Sequence, residues 1–198
     1  MQTVEQTRDW LLSRARVPAA TDTVDLLAAA GRVLAQDLVS TLDVPPCDNS
    51  AMDGYAVRAA DAAAALPVSQ RIPAGSVPQP LLAASAARIF TGAPVPPLAD
   101  AVVMQEQAEV QPDGSVRFTA PVSAGQNIRR RGEDIASGQT VLACGQRLQD
   151  ADLGLAASIG VASLQVYRQL RVAVFFTGDE LVEPGTPAGA GKIYNSIF

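Results

Sequence analysis

Histidine is absent from this chain of 198 residues, and cysteine occurs only twice, at Cys47 and Cys144. The absence of histidine excludes catalytic triads that use histidine and zinc sites with histidine ligands, so carboxylates remain as the available ligands for a hard cation. The two cysteines lie far apart in the sequence and are interpreted as buried or incidental thiols.

Basic residues are few, with 15 Lys and Arg against 20 Asp and Glu, a net charge of −5 and a pI near 4.7. This balance argues against a nucleic-acid partner, because such binding depends on neutralising phosphates, and a local basic cluster would have to hold any anionic ligand. An apolar run of about 18 residues is also missing and the amino terminus is polar, so we expect a cytoplasmic protein with no membrane partner and no signal peptide.

Aromatic residues make up only 5% of the chain, although 48% of its residues are hydrophobic. A helix is predicted for residues 3–16, with Trp10 as its packing anchor. A short helix is predicted over residues 22–30, followed by a strand-like stretch at residues 32–40. Short β-like runs separated by proline and glycine then predict a β-rich region, with a hairpin turn at residues 112–114.

A further helix is predicted to begin with Asp150 as its N-cap and to end near Gly160, followed by an alternating strand at residues 162–166. This helix and strand resemble the pair predicted at residues 22–40. We therefore predict an N-terminal helix and a small discontinuous α/β domain into which a β-rich domain is inserted. The predicted bounds are residues 1–18 for the helix, 19–43 plus 138–168 for the small domain, and 44–137 for the insertion.

Residues 171–176 form an almost continuous apolar run, which is typical of a parallel strand buried on both faces. Only about twenty residues follow the polar loop after it, too few for a further βαβ unit of roughly 30 residues. Residues 169–198 are therefore interpreted as the first strand and the start of a truncated doubly wound α/β domain. The predicted fold class is multi-domain α+β.

Residues 45–57, with the sequence PPCDNSAMDGYAV, form a rigid polar loop. Its prolines fix φ, and the side chains of Asp48, Asn49 and Ser50 are expected to bond to their own backbone. Asp53 precedes Gly54 at a tight turn, where a constrained carboxylate can bind a metal or accept a proton. A plain Asp-Gly hairpin turn is the alternative.

Two further loops carry groups suited to anions. Thr91 precedes a glycine after a strand-like run, so its hydroxyl can approach a phosphate, although a plain turn fits equally well. Residues 129–131 are three consecutive arginines and a candidate seat for a polyanion, with Asp134 placed to hold a divalent cation. The alternatives are simple surface exposure, or neutralisation of the arginines by Glu133 and Asp134.

The fourth polar loop, residues 177–180, follows the predicted buried strand, a position favoured for ligand sites in α/β sheets. A helix start with Thr177 or Asp179 as N-cap is an equally good interpretation. Four loops bearing acids and hydroxyls, without histidine, together suit a Mg²⁺-dependent site for a phosphorylated substrate.

Five segments, in order, resemble the molybdopterin molybdenumtransferases of molybdenum-cofactor biosynthesis, the family that includes the E domain of gephyrin. The resemblance covers essentially the whole chain, and its first and fourth segments are the most specific. The segments are residues 45–57 (PPCDNSAMDGYAV), 89–94 (IFTGAP), 100–106 (DAVVMQE), 129–135 (RRRGEDI) and 177–181 (TGDEL).

The resemblance implies an enzyme that inserts molybdenum from molybdate into adenylated molybdopterin, releases AMP and uses Mg²⁺ as its divalent cation. It implies that Asp53, Asp134 and Glu180 are the catalytic carboxylates near the Mg²⁺ or the molybdate. By the same resemblance, the residues that contact the polyanionic substrate are Thr91, Arg129 and Ser50.

The family also implies an elongated homodimer, with clefts between the β-rich domain of one subunit and the α/β domain of the other, and other cofactor-biosynthesis proteins as partners. The sequence leaves the family pattern at Ile197, so the chain is interpreted as an amino-terminal portion. The alternatives are a non-catalytic dimerisation or scaffold segment of the same family, and a generic Mg²⁺-dependent phosphate-ester hydrolase.

Overall fold

The computed structural model describes residues 2–16 and 20–196. Its contacts divide the chain into two compact units. One unit is Ala19–Tyr167, and the other combines Met1–Pro18 with Arg168–Phe198. No helix within the described ranges is long and apolar enough to cross a bilayer.

The fold is mixed α/β, with few helices and several small sheets. Among the described residues the α-helices are Val4–Leu12 (α1) and Asp150–Ser158 (α2), and single 3₁₀ turns occur at Leu26–Ala28, Ala59–Asp61 and Gln105–Gln107. The strands are β1 (Thr21–Asp25), β2 (Leu38–Val39), β3 (Asn49–Ser50), β4 (Gly54–Val57), β5 (Val68–Ile72), β6 (Ala86–Ile89), β7 (Ala101–Met104), β8 (Ala108–Val110), β9 (Val116–Phe118), β10 (Ile128–Arg129), β11 (Thr140–Leu142), β12 (Ser163–Tyr167), β13 (Leu181–Val182) and β14 (Ile193–Tyr194).

The largest sheet has four strands in the order β5-β6-β4-β7. Strand β4 lies at its centre and runs antiparallel to both neighbours, with Gly54 opposite Ile89 on β6 and opposite Met104 on β7. Strand β5 runs parallel to β6. Because β4 and β6 are antiparallel, the residues just before β4 and those just after β6 lie at the same end of the sheet.

Both faces of this sheet are buried. Successive side chains of a strand point to opposite sides, so each strand contributes residues to both faces. The first face packs with the β8–β9 hairpin in a cluster formed by Tyr55, Val57, Ala62, Leu66, Ala86, Ala101, Val103 and Val116. The second face forms a separate cluster of Ala56, Ile72, Leu81, Ala87, Ile89, Ala93 and Val102. The sheet is therefore a rigid platform for the loops at its ends.

A third cluster joins the beginning and the end of the same unit. Strand β1 pairs antiparallel with β12, β2 pairs with β11, and α2 packs beside them. The predicted alternation of the β12 strand is confirmed, since Leu164 and Val166 are buried. The helix α2 begins at Asp150 as predicted, but its N-cap is Gln149, whose N–H donates to Asp152 Oδ2 at 2.8 Å.

The helix predicted over residues 22–30 is wrong at its start, because β1 covers residues 22–25 and only a 3₁₀ turn follows. Thr21, Thr23 and Val24 are β-branched, and pairing with β12 favours the extended backbone. The helix predicted over residues 3–16 is shorter, ending at Leu12. None of its described residues is buried, so Trp10 is not the expected packing anchor and instead lies under the guanidinium group of Arg14, 4.1 Å from the ring centroid.

The buried strand predicted at residues 171–176 is also wrong. These residues form no strand, and Val172 and Phe175 are 76% and 86% exposed. An apolar strand needs neighbours on both sides to satisfy its backbone, and the described residues offer it none. The loop that follows is not a helix start either, because it leads into β13, which pairs in parallel with β14.

Gly54 is the position where the central strand tolerates no side chain. A Cβ built on it would lie 1.9 Å from the carbonyl oxygen of Val103, a backbone atom of β7. We predict that Gly54→Ala lowers the free energy of unfolding by about 3 kcal/mol, the upper end of overpacking costs, in urea denaturation.

The matched control for this prediction is Gly154→Ala in α2, where an added Cβ would meet no atom within 4 Å. Alanine is the better helix former, so this variant should be more stable by about 1 kcal/mol. Equal stabilities for the two variants would contradict the account of the central strand.

Candidate active site

Residues 48–53 are held between two other loops by the backbone of Ser50. Strand β3 pairs antiparallel with β10, which places Ser50 opposite Ile128 and Asn49 opposite Arg129. On its other side, Ser50 N–H donates to Ala93 O at 2.9 Å and Ser50 O accepts from Gly92 N–H at 2.8 Å. The structure thus brings together three of the segments singled out in the sequence.

The side chain of Ser50 serves this loop. It is only 1% exposed, its hydroxyl donates to Met52 O at 2.5 Å, and it accepts from Met52 N–H at 3.3 Å. These bonds confirm the expectation that Ser50 bonds to its own backbone. The substrate contact implied for Ser50 stays a prediction.

Asp53 and Thr91 form a direct pair across the end of the four-stranded sheet. The N–H and the hydroxyl of Thr91 both donate to Asp53 Oδ1, at 2.8 and 2.7 Å. Asp53 is therefore more than a turn residue, since its carboxylate fixes a loop 38 residues further along the chain. Its second oxygen, Oδ2, accepts no hydrogen bond from the described residues and remains available to a ligand.

The charge of Asp53 is stabilised by these contacts. The Thr91 N–H, then the Thr91 hydroxyl and more weakly the positive charge of Arg88, hold the pKa of Asp53 below its usual value. The carboxylate is therefore ionised at neutral pH and is a weak base. Such a group is better suited to holding a cation than to abstracting a proton.

Arg88 fixes the backbone around Asp53. Its guanidinium group donates to Gly54 O at 3.1 Å and to Gln105 Oε1 at 2.6 Å, and the N–H of Gln105 donates to Asp53 O at 3.0 Å. Arg88 was not singled out in the sequence analysis. The sequence does contain a signal for it. Arg88 and Phe90 are two positions apart in a strand-like run that ends at Thr91, so their side chains lie on the same face of the strand.

The three consecutive arginines are all paired with carboxylates. Arg129 donates from Nη2 to both oxygens of Asp134, at 2.5 and 2.6 Å, and from Nε to Glu133 at 3.4 Å. The bond to Asp134 is the main cause that raises the pKa of Arg129. The neutralised alternative therefore describes this segment in the present structure, and it is not an open seat for a polyanion.

Two acids outside the segment complete this neutralisation. Asp48 accepts from Arg130 Nη1 at 2.6 Å and from the N–H of Arg131 at 2.9 Å, while Asp43 accepts from Arg131 Nε at 2.6 Å. Asp48 therefore does not bond to its own backbone as predicted. These partners are more than 80 residues away from the arginines in sequence, and no local pattern indicates such pairings.

Glu180 lies in the second compact unit. Its carbonyl accepts from Ile193 N–H at 2.8 Å, and its carboxylate folds back beside Gly178, where a built Cβ would lie 2.8 Å from Oε2. The structure therefore gives no test of its predicted role beside Asp53 and Asp134, and that role stays a prediction.

The carboxylates differ in how well they suit Mg²⁺. Within residues 2–16 and 20–196, no three acidic or cysteine side chains converge on a preformed metal centre. Mg²⁺ commonly uses only one or two carboxylates, together with water and substrate phosphates, and Asp53 fits that requirement through Oδ2. Asp134 does not fit in its present state, because Arg129 occupies both of its oxygens.

Both cysteines are exposed free thiols, so of the two expected interpretations the buried one is wrong and the incidental one remains. Cys47 belongs to the loop at residues 45–57. The sulfur of Cys144 lies 3.8 Å from the hydroxyl oxygen of Tyr167, a contact on the β12 side of the same unit.

The fold and these loops define a class of protein, the molybdopterin-biosynthesis proteins. A crystal structure titled as the molybdopterin biosynthesis moeA protein of Pyrococcus horikoshii OT3 superposes on 91% of this chain with a TM-score of 0.82 and 35% sequence identity. The superposed part is 50% of that archaeal chain.

The chain belongs to the family described as MoeA N-terminal region (domain I and II), whose model matches residues 2–160. A protein named molybdopterin molybdenumtransferase, from Haemophilus influenzae, is 43% identical over 99% of this chain. A second relative, molybdopterin molybdenumtransferase 2 of Mycobacterium tuberculosis, is 48% identical over 88% of it. The chain spans about half the length of these relatives, 49% and 45%.

Asp43 makes the stability of this unit sensitive to acid. The N–H of Ser137, at 2.8 Å, and then Arg131 hold the pKa of Asp43 below its usual value of 3.8. A lowered pKa in the folded state contributes stability above the unfolded pKa, and this stability is lost as the pH falls through the folded pKa. We predict that Asp43→Asn lowers stability at pH 7 and flattens its decline below about pH 4, in urea denaturation between pH 7 and pH 2.

The comparison for this prediction is Arg131→Gln, which removes the hydrogen bond and the positive charge of the guanidinium group. The Ser137 N–H, the largest single cause, remains, so this variant should keep part of the decline with acid. A decline that Asp43→Asn leaves unchanged would show that Asp43 does not contribute to the acid dependence.

Proposed function

We propose that this chain provides part of the site at which molybdenum from molybdate is inserted into adenylated molybdopterin with release of AMP. Membership of the family and the names of the relatives support this assignment. The observation that carries it is the Asp53–Thr91 pair, which holds an ionised carboxylate with one available oxygen at the end of a rigid sheet.

Each polar residue then has a role in this proposal. Asp53 holds Mg²⁺ through Oδ2 near the molybdate, and Thr91 fixes the carboxylate while presenting its loop to the substrate. When bound, Mg²⁺ supplies positive charge that neutralises substrate phosphates. Asp134 and Glu180 are proposed as the further catalytic carboxylates, and Ser50 supports the loop that contacts the substrate.

Arg129 serves the substrate in this proposal by exchanging partners. Its Nη2 and Nε groups are held by Asp134 and Glu133, so an anion that approaches these donors replaces a carboxylate. The exchange is feasible because the pair is about half exposed, and exposed ion pairs contribute little net stability, about 0–1 kcal/mol. Release of Asp134 at the same time would free its carboxylate for a cation.

The finer organisation is part of the same proposal. Residues 19–43 and 138–168 form a small domain, residues 44–137 form the inserted β-rich domain, and residues 169–198 begin the α/β domain that binds molybdopterin. The proposal includes a cytoplasmic homodimer that works with other proteins of molybdenum-cofactor biosynthesis. The pairing of β1 with β12 and of β2 with β11 supports the discontinuous small domain.

A non-catalytic dimerisation or scaffold role within the same family is the alternative. The exposed apolar residues at positions 170–175 favour it, since surfaces of this kind are typical of association. A chain that forms a dimer in light scattering, yet neither binds adenylated molybdopterin nor releases AMP from it, would support this alternative and overturn the catalytic proposal.

The catalytic proposal predicts a selective effect at Asp53. We expect AMP release, in the presence of molybdate and Mg²⁺, from a protein of the relatives' full length that carries these residues, because this chain provides only part of the proposed site. Asp53→Asn should retain binding within a few-fold but lower AMP release by about 100-fold, because the amide cannot hold the cation. Calorimetry measures the binding, and chromatography of AMP measures the turnover.

Asp113→Asn is the matched control for Asp53→Asn. Asp113 accepts from the N–H and the hydroxyl of Ser115, at 2.9 and 2.7 Å, so it has nearly the same hydrogen bonds as Asp53 but lies in the β8–β9 hairpin. This variant should release AMP at the normal rate. Equal rates for the two variants would overturn the role of Asp53, and release independent of molybdate would indicate the phosphate-ester hydrolase instead.

A further inference from the structure

The arginines that lack carboxylate partners near Asp53 are Arg71 and Arg88. No carboxylate oxygen of the described residues lies within 4.0 Å of either guanidinium group, whereas each arginine of the 129–131 triplet is paired. The positive charge available at this end of the sheet therefore comes from β5 and β6, and not from the triplet that the sequence emphasises.

Arg71 and Arg88 are direct neighbours across two parallel strands. Arg71 is the register partner of Arg88, and Arg88 is in turn opposite Tyr55 on β4. Neighbouring strands lie only about 4.8 Å apart, and like charges placed opposite each other destabilise a sheet. A like-charged pair without a counter-ion in the chain is the arrangement that an anionic ligand would stabilise.

Both guanidinium groups are positioned by one aromatic ring. The Cζ atom of Arg71 lies 4.5 Å from the ring centroid of Phe90, and that of Arg88 lies 4.8 Å from it. Stacking on a ring restrains the planar guanidinium group and leaves its N–H groups directed to the sides. Phe90 immediately precedes Thr91 in the sequence, so the ring on which both arginines stack is next to one member of the Asp53–Thr91 pair.

The two arginines differ in whether their N–H groups already donate hydrogen bonds within the chain. Arg88 donates to Gly54 O and Gln105 Oε1, whereas Arg71 is exposed and donates no hydrogen bond to the described residues. Acidic groups around Arg88 include Asp53, whose charge interacts with Arg88, and Glu106, which accepts at 3.2 Å from the side chain of Gln105, itself a partner of Arg88. Arg71 thus keeps all its donors for a ligand, and Arg88 orients the site.

We propose that Arg71 and Arg88, stacked on Phe90, bind a tetrahedral oxyanion beside Asp53 and Thr91. This inference rests on the proposed function, in which the oxyanion is either a phosphate of the AMP-linked substrate or molybdate itself. Planar guanidinium groups bind such oxygens through paired, charge-assisted hydrogen bonds. The site adds two substrate-binding residues, one of them 20 residues before Thr91.

The test uses the whole chain and two probes, inorganic pyrophosphate and molybdate, titrated separately in a calorimeter at low salt. Arg71→Gln should weaken binding of the favoured probe about tenfold, because it removes charged donors that the fold does not use. Arg71→Lys, which keeps the charge without the planar fork, should be intermediate. The probe that loses affinity identifies the oxyanion.

The control is Arg117→Gln, an exposed arginine of β9 opposite Glu109, which should bind both probes as the unchanged chain does. Arg88→Gln should also weaken binding, but its loss of contacts to Gly54 and Gln105 can disturb the fold, so Arg71→Gln is the decisive variant. Bound pyrophosphate or molybdate should also raise the melting temperature of the unchanged chain, and raise it less for Arg71→Gln.

Unaltered affinity of Arg71→Gln for both probes, or no binding of either probe by the unchanged chain, would overturn this inference. These outcomes are distinct from failure of the proposed function. A chain that binds an oxyanion through Arg71 but never releases AMP would keep the anion site and lose the catalytic assignment. A chain that releases AMP normally after Arg71→Gln would keep the catalytic assignment and lose the anion site.

Discussion

The close approach of β4 to β7 at Gly54 is the constraint on which the site depends. Only a residue without Cβ allows the central strand to begin there, because a Cβ on Gly54 would lie 1.9 Å from the carbonyl oxygen of Val103. With β4 in place, Asp53 ends up beside the loop that follows β6, and its carboxylate can take both donors of Thr91. A turn pair that is common in hairpins thereby becomes the support of the loop that carries Thr91.

Charge is distributed over this surface in two different ways. The triplet at residues 129–131 is surrounded by acids, including Asp43 and Asp48, so its positive charge is used to join loops within the chain. Arg71 and Arg88 have no such acids and are oriented by Phe90. An acidic protein can therefore present a local positive site to an anionic ligand while its most basic segment serves the fold.

Much of this could be predicted from the sequence, and the failures have physical causes. The short strands, the hairpin at residues 112–114 and the strand β12 follow from alternation and turn residues, which are local signals. Asp53 and Thr91 could be singled out, but their hydrogen bonds depend on strand register. The arginines pair with Asp43 and Asp48, which are distant in the chain, and local patterns do not encode such pairings. Residues 171–176 are exposed because the described residues offer them no neighbouring strand.

We propose that the residues around Asp53, Thr91 and Arg71 form one surface for an anionic, adenylated substrate. The most direct measurement is an amide chemical-shift map of the ¹⁵N-labelled chain during titration with adenylated molybdopterin and Mg²⁺. The amides of Thr91, Arg88 and Arg71 should shift together with one dissociation constant, while that of Asp113 stays unchanged. Shifts confined to other parts of the chain, or none at all, would contradict it.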